Sequence, residues 1–170
     1  MHHPTEPLQF HTGSEGQGRL SSGERRRGEL IHGVLSLIEY AGEDVEGCLT
    51  PAVQRLSCEM GEEHDPREIR RIVLEIIEHP EIRELFILKP GREIRREQEV
   101  VDGEGRLFRM DRLIIDQDRV TVIDWKTGKE TGEHRAQMKN YLGILEGIYP
   151  GKAVEGLLAY VDLKEVRRFP

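Results

Sequence analysis

Apolar residues recur along the first half of the chain with the spacing of amphipathic helices. The pattern predicts a first helix from Ser22 to about Ala41, which Ser21 or Ser22 caps and Gly42 ends. Its apolar positions follow the spacing i, i+3, i+4, i+7 and are Ile31, Val34, Leu35 and Ile38. One continuous apolar stripe of this kind predicts a helix that buries a single face.

Three further helices are predicted by the same periodicity. One runs from Pro51 to about Met60, and the next has Asp65 as N-cap, Pro66 at its first position and His79-Pro80 as its end. The apolar face of this third helix comprises Ile69, Ile72, Val73, Ile76 and Ile77. A fourth helix spans about residues 133–149, with a stripe made by Met138, Tyr141, Leu142, Leu145 and Ile148.

The second half of the chain carries β-type patterns. We predict a strand over about Glu93–Val101, a Gly-rich turn at 102–105, two hairpin strands, and a strand over Val154–Val161 that is buried on both faces. The order α-α-α-β-β-β-α-β indicates an α/β or α+β domain with a mixed sheet. Residues 22–170 are expected to form one domain, preceded by a flexible leader or linker at 1–21.

The hairpin has a defined register. Arg109–Ile115 and Val120–Gly128 flank a polar turn, so Asp116 pairs with Arg119 if the turn is centred between Gln117 and Asp118. Counting outward, Asp111 falls opposite Asp124. Side chains that face each other across two strands have Cβ atoms about 4.5–5.5 Å apart, and like charges there are unfavourable.

Two carboxylates at one point of a sheet require a counter-charge. A divalent cation supplies it, because hard oxygen ligands suit magnesium and manganese. Lys126 lies on the same strand face as Asp124 and offers the alternative, in which both aspartates are solvated and the lysine pairs with one of them. The register by itself leaves both interpretations open.

Composition narrows the class of protein. The chain has 170 residues, a net charge of −7 and 36% hydrophobic residues, which fits one globular domain. No membrane-spanning run and no signal peptide is visible, and Cys48 and Cys58 lack metal-site spacing, so we expect free thiols in the cytoplasm. Despite the acidic total, several basic clusters flank the hairpin, and they either contact nucleic acid or form a solvated surface. The basic clusters of the chain are Arg25-Arg26-Arg27, Arg92/Arg95/Arg96, Arg106/Arg109/Arg112, Lys126/Lys129/Arg135/Lys139 and Arg167-Arg168.

Five ordered pieces of the chain resemble the PD-(D/E)XK nucleases, and in particular their RecB-like branch. The pieces are the Gly-x-x-x-His element at Gly28 and His32, Arg96-Glu97, Met110-Asp111-Arg112, the Asp-x-Lys-Thr-Gly strand at 124–128, and Gln137 with Tyr141. The chain departs from the family at Phe108, where a small residue is usual. It also lacks the four cysteines of the iron–sulfur members, so no iron–sulfur cluster is expected.

The resemblance implies roles for seven residues. His32, Asp111 and Asp124, with the backbone carbonyl after Asp124, are implied to bind Mg²⁺ or Mn²⁺, and Lys126 to orient or deprotonate the attacking water. Glu97 is either an outer carboxylate of this site or a solvated strand residue. A three-residue turn at 103–105 sets it opposite Asp111, and a four-residue loop sets it on the other face.

The remaining two residues lie on the last predicted helix. Gln137 and Tyr141 are one helical turn apart and are implied to contact the phosphate backbone or Lys126. Tyr141 has the alternative of a core position, because it also belongs to the apolar stripe. Trp125 points away from Asp124 along its strand and is expected in the core.

The resemblance also implies an activity. It predicts a divalent-metal-dependent DNA nuclease, an exonuclease acting in DNA repair and recombination, either as the C-terminal nuclease domain of a helicase or as a separate chain. Its partners are then DNA, single-stranded or at duplex ends, and a helicase domain or subunit in cis or trans, with no membrane. The alternative is a catalytically inactive DNA-binding domain of a helicase–nuclease complex.

Overall fold

The computed structural model describes residues 21–60 and 64–170. Apart from Ser21, the predicted leader therefore lies outside the described residues. The helices are α1 (Ser22–Leu37), α2 (Val45–Met60), α3 (Pro66–Ile77), α4 (Pro80–Arg83), followed by a 3₁₀ turn (Glu84–Phe86), and α5 (Gly132–Ile148). The strands are β1 (Glu93–Val101), β2 (Leu107–Ile115), β3 (Arg119–Lys126), β4 (Ala153–Tyr160) and β5 (Glu165–Phe169).

The five strands form one mixed sheet in chain order. β1, β2 and β3 pair antiparallel, β3 and β4 pair parallel across the α5 crossover, and β4 and β5 pair antiparallel. The α/β class with a mixed sheet flanked by helices is confirmed. α4, the 3₁₀ turn and β5 were not predicted, because each is too short to show a period.

The sheet is covered on both faces. The α1-side core packs α1, α2 and α3 against sheet residues that include Ile114, Ile123, Trp125, Leu157 and Ala159. The α5-side core packs α5 against Met110, Leu113, Ile115, Val120, Val122, Leu158 and Tyr160. The apolar stripes predicted for α1 and α3 are buried, as is Trp125. In α5 the prediction is wrong for Ile148, which is 48% exposed, because Tyr149 packs against the core at this end instead.

α1 ends four residues before the predicted end at Ala41. Ile38 is extended, with φ −96° and ψ 106°. The buried guanidinium of Arg112 donates to the Ile38 carbonyl at 2.8 Å and to the Glu39 carbonyl at 2.6 Å. An arginine from β2 therefore holds the C-cap residue and the residue after it, directly where α1 ends.

α2 begins at Val45, so the predicted start at Pro51 is wrong. The Asp44 carboxylate accepts the Gly47 amide at 2.8 Å, as an N-cap does. Val45 and Leu49 are buried in the α1-side core. Burial of these two side chains offsets the hydrogen bond that Pro51 cannot donate inside the helix.

Strand β1 has the predicted bounds, and the hairpin has the predicted turn. Within residues 21–60 and 64–170, the helices are all too short or too polar to span a bilayer.

Candidate active site

Asp111 and Asp124 lie where strands β2 and β3 separate. The paired residues of β2 and β3 run from Ile115 with Val120 to Arg112 with Ile123, which is the predicted register. The next step of this register brings the two aspartates together. The ladder stops there. Instead of continuing it, the Trp125 amide donates to Asp111 Oδ2 at 2.8 Å, so a carboxylate replaces a backbone acceptor.

The sheet is also irregular at the residue facing Asp111 from β1. The β1–β2 pairs skip Glu97 and Asp111, but the register on either side sets them opposite each other, as the three-residue turn predicted. Glu97 has φ 49°, in the left-handed region that non-glycine residues rarely adopt. Met110 packs in the α5-side core and Ile114 in the α1-side core. With strict alternation along β2, these two side chains would point to the same face of the sheet. The strands therefore change faces beside Asp111.

Asp124 is the most deeply buried acid of the site. Its side chain is 4% exposed, and Lys126 Nζ lies 2.6 Å from its Oδ2. This contact is an ion pair, because Oδ2 accepts no directed hydrogen bond from the residues that the structure describes. The predicted shared face of Asp124 and Lys126 is confirmed.

A chain of hydrogen bonds holds Lys126 from the α5 side. Lys126 Nζ donates to Gln137 Oε1 at 2.7 Å, Gln137 Nε2 donates to the Tyr141 hydroxyl at 2.8 Å, and Tyr141 donates to the Arg109 carbonyl at 2.8 Å. Burial raises the pKa of Tyr141, so its hydroxyl stays protonated. Tyr141 thus combines both sequence interpretations, since its ring is in the α5-side core and its hydroxyl belongs to the site.

His32 approaches from the opposite side of the sheet. It lies on α1, and its Nδ1 is 3.6 Å from Asp111 Oδ2, too long for a hydrogen bond. Burial is the largest influence on this imidazole and lowers its pKa, with the charge of Asp124 acting against it. A neutral imidazole is the form that binds a metal ion.

The two aspartates are costly as a pair of anions. Burial raises the pKa of Asp111 to about 6. Burial, and then the negative charge of Asp111, raise the pKa of Asp124 to about 6 as well. Lys126 counteracts both shifts without cancelling them. A site that keeps two acids partly protonated near neutral pH gains stability from a bound cation.

The residues present fit a hard divalent cation by their chemistry. Two carboxylates and a neutral imidazole converge here, and Asp124 Oδ2 has no directed donor. In the described part of the chain, no three His, Cys, Asp or Glu side chains already form a closed metal site. Asp111, Asp124 and His32 are thus the groups that a cation would draw together.

Sequence reasoning missed how α1 is fixed against the site. A Cβ on Gly28 would lie 3.1 Å from Thr127 Oγ1, so this glycine lets the helix approach the end of β3. Arg27 pairs with Asp162 at 2.8 Å, and Asp162 accepts the Gly128 amide at 2.7 Å. The signal available in the sequence was Gly28, one turn before His32. The partner Asp162 had no signal.

The remaining predicted residues are also accounted for. Glu97 lies beside the site, is 36% exposed and contacts Arg109 Nε at 3.0 Å, so both predicted interpretations, an outer carboxylate and a solvated strand residue, stay open. Cys48 and Cys58 are free and exposed on α2.

Comparison with known proteins agrees with this arrangement. The chain matches the family model of the PD-(D/E)XK nuclease superfamily over residues 7–169. A search of the curated proteins finds no match. The family match extends over nearly the whole chain, and the protein therefore belongs to the PD-(D/E)XK nuclease superfamily.

Proposed function

We propose that this protein is a divalent-metal-dependent deoxyribonuclease that hydrolyses phosphodiester bonds. The observation that carries the proposal is the pair of buried aspartates beside a lysine. Asp111 and Asp124 are 12% and 4% exposed, and Lys126 Nζ is 2.6 Å from Asp124. Membership of a superfamily of nucleases supports the same conclusion.

Asp111, Asp124 and His32 would hold the cation, with the Trp125 carbonyl, the one after Asp124, as a further donor. A bound Mg²⁺ or Mn²⁺ acidifies water and neutralises charge on the scissile phosphate. The hydrogen bond from the Trp125 amide to Asp111 keeps that carboxylate in place before a cation arrives. The protein thus supplies preorganised oxygen donors on two strands.

The ammonium of Lys126 is held in a fixed position from which it can contact the scissile phosphate or the attacking water. Gln137 Oε1 and Asp124 Oδ2 each hold its ammonium, at 2.7 Å and 2.6 Å. Tyr141 fixes Gln137 in turn, because its hydroxyl accepts from the amide and donates to a β2 carbonyl. We propose that Lys126 positions the attacking water and stabilises the negative charge of the transition state. Glu97 is the outer carboxylate of the site.

The finer features of the activity rest on the sequence resemblance. The five ordered pieces support a RecB-like exonuclease without an iron–sulfur cluster, acting in DNA repair and recombination with a helicase domain or subunit. Linear DNA and a covalently closed circle of the same sequence separate the modes. An exonuclease degrades the first and leaves the second intact.

The activity itself is tested on end-labelled single- and double-stranded DNA with Mg²⁺ or Mn²⁺. Asp124→Ala and Lys126→Ala are expected to abolish cleavage, and EDTA is expected to do the same. Asp118→Ala is the matched control, because Asp118 is exposed in the hairpin turn and should retain full activity. Cleavage that survives both site substitutions contradicts the proposal.

Calorimetry with Mn²⁺ separates a nuclease from a DNA-binding module that has lost catalysis. A nuclease should bind Mn²⁺ at a site that Asp111→Ala abolishes and Asp118→Ala leaves unchanged. A module that only binds DNA should show no such site.

A further inference from the structure

The structure divides the basic clusters of the sequence into two groups. Most arginines of these clusters with a partner in the structure are held by structural contacts. These pairs are Arg27 with Asp162, Arg92 with Asp116, Arg96 with the Ser36 carbonyl, Arg106 with Asp102, and Arg112 with the Ile38 and Glu39 carbonyls. Arg25 and Arg109 are different, because both line a groove that leads to His32.

This groove, which we call the α1–β1 groove, is a cavity of about 520 Å³ between α1 and strands β1 and β2. The residues that line it include Arg25, Glu29, His32, Ser36, Glu97 and Arg109. Its lining offers two guanidinium groups, each of which can contact one phosphate of a single nucleic-acid strand. Among the described residues that line it, none is aromatic, so base stacking has no platform there.

Arg25 and His32 lie along one face of α1. They are seven positions apart, which corresponds to about 10 Å along the helix axis at 1.5 Å per residue. Arg109 lies across the groove on β2. The two arginines therefore line the same groove as His32 from different elements.

Arg109 is presented to the groove by a fixed backbone. The Tyr141 hydroxyl donates to its carbonyl at 2.8 Å, while its side chain is 62% exposed. Within the described part of the chain, its one ion pair is the contact of Nε with Glu97 Oε2 at 3.0 Å.

Glu97 offers Arg109 a carboxylate where DNA would offer a phosphate. The planar fork of a guanidinium can bind either group, so a phosphate can replace the carboxylate as the partner of Arg109. Glu97 makes this contact from a left-handed backbone conformation, φ 49°, which carries strain. The two side chains are 62% and 36% exposed, so the pair is open to exchange when a stronger anion enters the groove.

We propose that Arg25 and Arg109 bind phosphates of a single DNA strand in the α1–β1 groove, beside His32. Glu97 occupies the phosphate position of Arg109 in the free protein. Recognition is of the backbone and is independent of sequence. This inference deepens the proposed nuclease function and rests on it.

The test is equilibrium binding of a fluorescein-labelled single-stranded oligonucleotide in EDTA, followed by anisotropy at increasing NaCl. Arg109→Gln is expected to weaken binding about tenfold. It should also reduce the slope of log K against log [salt] by about 0.7, the value for one phosphate contact with a single strand. Arg25→Gln should reduce the slope similarly.

Arg95→Gln is the matched control. Like Arg109, Arg95 is exposed, belongs to the β1–β2 hairpin and is paired with a glutamate, in this case Glu93 at 2.7 Å. Unlike Arg109, it does not line the groove. The slope of log K against log [salt] for Arg95→Gln should equal that of the parent protein. Arg109→Lys should keep the parent slope as well, because it keeps the charge, and it shows that the fold tolerates a change at this position.

Glu97→Gln separates phosphate binding from a structural ion pair. If Glu97 occupies the phosphate position, this variant binds the oligonucleotide more tightly than the parent. Weaker binding by Glu97→Gln, or an unchanged slope for Arg109→Gln, overturns the proposal. Tighter binding of a duplex of the same length overturns the assignment to a single strand.

The outcome is distinguishable from failure of the nuclease proposal, because binding is measured without metal. An Asp124→Ala protein that still cleaves DNA refutes the catalytic site and leaves the groove standing. Loss of the Arg109 effect in a protein with metal-dependent cleavage refutes the groove alone.

Discussion

At the scale of single residues, the buried charges of the site lower the stability of the folded protein. Asp111 and Asp124 are buried side by side, and each raises the cost of the other's charge. Lys126 offsets part of that cost, and Gln137 and Tyr141 hold Lys126 in place. Groups arranged in this way favour a cation-bound state over the free one.

Replacing one acid should therefore stabilise the metal-free protein. Asp111→Asn removes a buried charge but keeps an acceptor for the Trp125 amide, so we expect the free energy of unfolding to rise by about 2 kcal/mol in EDTA at pH 7.5. Cleavage should be lost. Urea denaturation measures the first effect.

Asp116→Asn is the control of opposite sign. Asp116 accepts two hydrogen bonds from Arg92 at 2.7 Å, which lower its pKa, and its neutralisation should destabilise the protein. A loss of stability in Asp111→Asn would contradict the interpretation of that residue as an unfavourable buried charge.

His134 gives the fold a pH dependence outside the acidic pair. It is 5% exposed, its Nδ1 is 3.2 Å from the Tyr160 hydroxyl, and burial lowers its pKa from 6.5 to about 4. Between these values the unfolded chain binds more protons than the folded one. The stability of the neutral form is thus complete above pH 6.5 and is lost as the pH falls toward 4.

We expect the free energy of unfolding of the parent to fall relative to His134→Gln by up to about 3 kcal/mol from pH 7 to pH 4. Asp111 and Asp124 contribute with the opposite sign, since their raised pKa favours the folded state in acid. They contribute equally to both proteins and cancel in the comparison. A difference between the two proteins that does not change with pH would contradict the prediction.

At the scale of elements, α1 connects the site to the rest of the fold. It carries His32 and one wall of the α1–β1 groove, and Gly28 lets it approach Thr127. Its C-terminal end is held by Arg112, which stacks on the Phe86 ring at 3.9 Å. Because Arg112 follows Asp111 directly on β2, one strand positions both the acid and the helix.

Arg112→Lys should destabilise the protein by about 2–4 kcal/mol, because an ammonium cannot donate to both the Ile38 and Glu39 carbonyls from this position. Urea denaturation measures the change. Arg71→Lys is the matched control, since Arg71 is an exposed i, i+4 partner of Glu75, and it should change stability by less than about 0.5 kcal/mol. Equal effects of the two substitutions would rule out this role for Arg112.

At the scale of the whole molecule, the site lies between two cores. α5 supplies Gln137 and Tyr141 from one face of the sheet, and α1 supplies His32 from the other. The acids lie in the sheet between them. A bound cation would therefore connect both layers, and its binding free energy would add to the stability of the folded state.

Mn²⁺ at 100 times its dissociation constant should raise the free energy of unfolding by about 2.7 kcal/mol. A thermal melt with and without the ion measures this, and Ca²⁺ or Mg²⁺ should act in the same direction. Asp111→Ala should abolish the increase, and Asp118→Ala should keep it. An increase of the same size in Asp111→Ala would mean that Mn²⁺ binds elsewhere.

Local pattern determined much of this protein. Periodicity alone predicts α3 with its Asp65 cap, the bounds of β1, and the hairpin register that brings Asp111 to Asp124, because helix faces and strand pairing follow from short-range geometry. The ordered motifs were sufficient to identify the superfamily.

Long-range contacts decided the rest. α1 stops at Leu37, and Arg112, 74 residues after Ile38, fixes the carbonyls of the two residues that follow the helix. α2 continues through Pro51 because Val45 and Leu49 are buried in the α1-side core. The change of faces at Glu97, and the groove that Arg109 shares with Arg25, have no local signal, since each depends on an element that lies elsewhere in the chain.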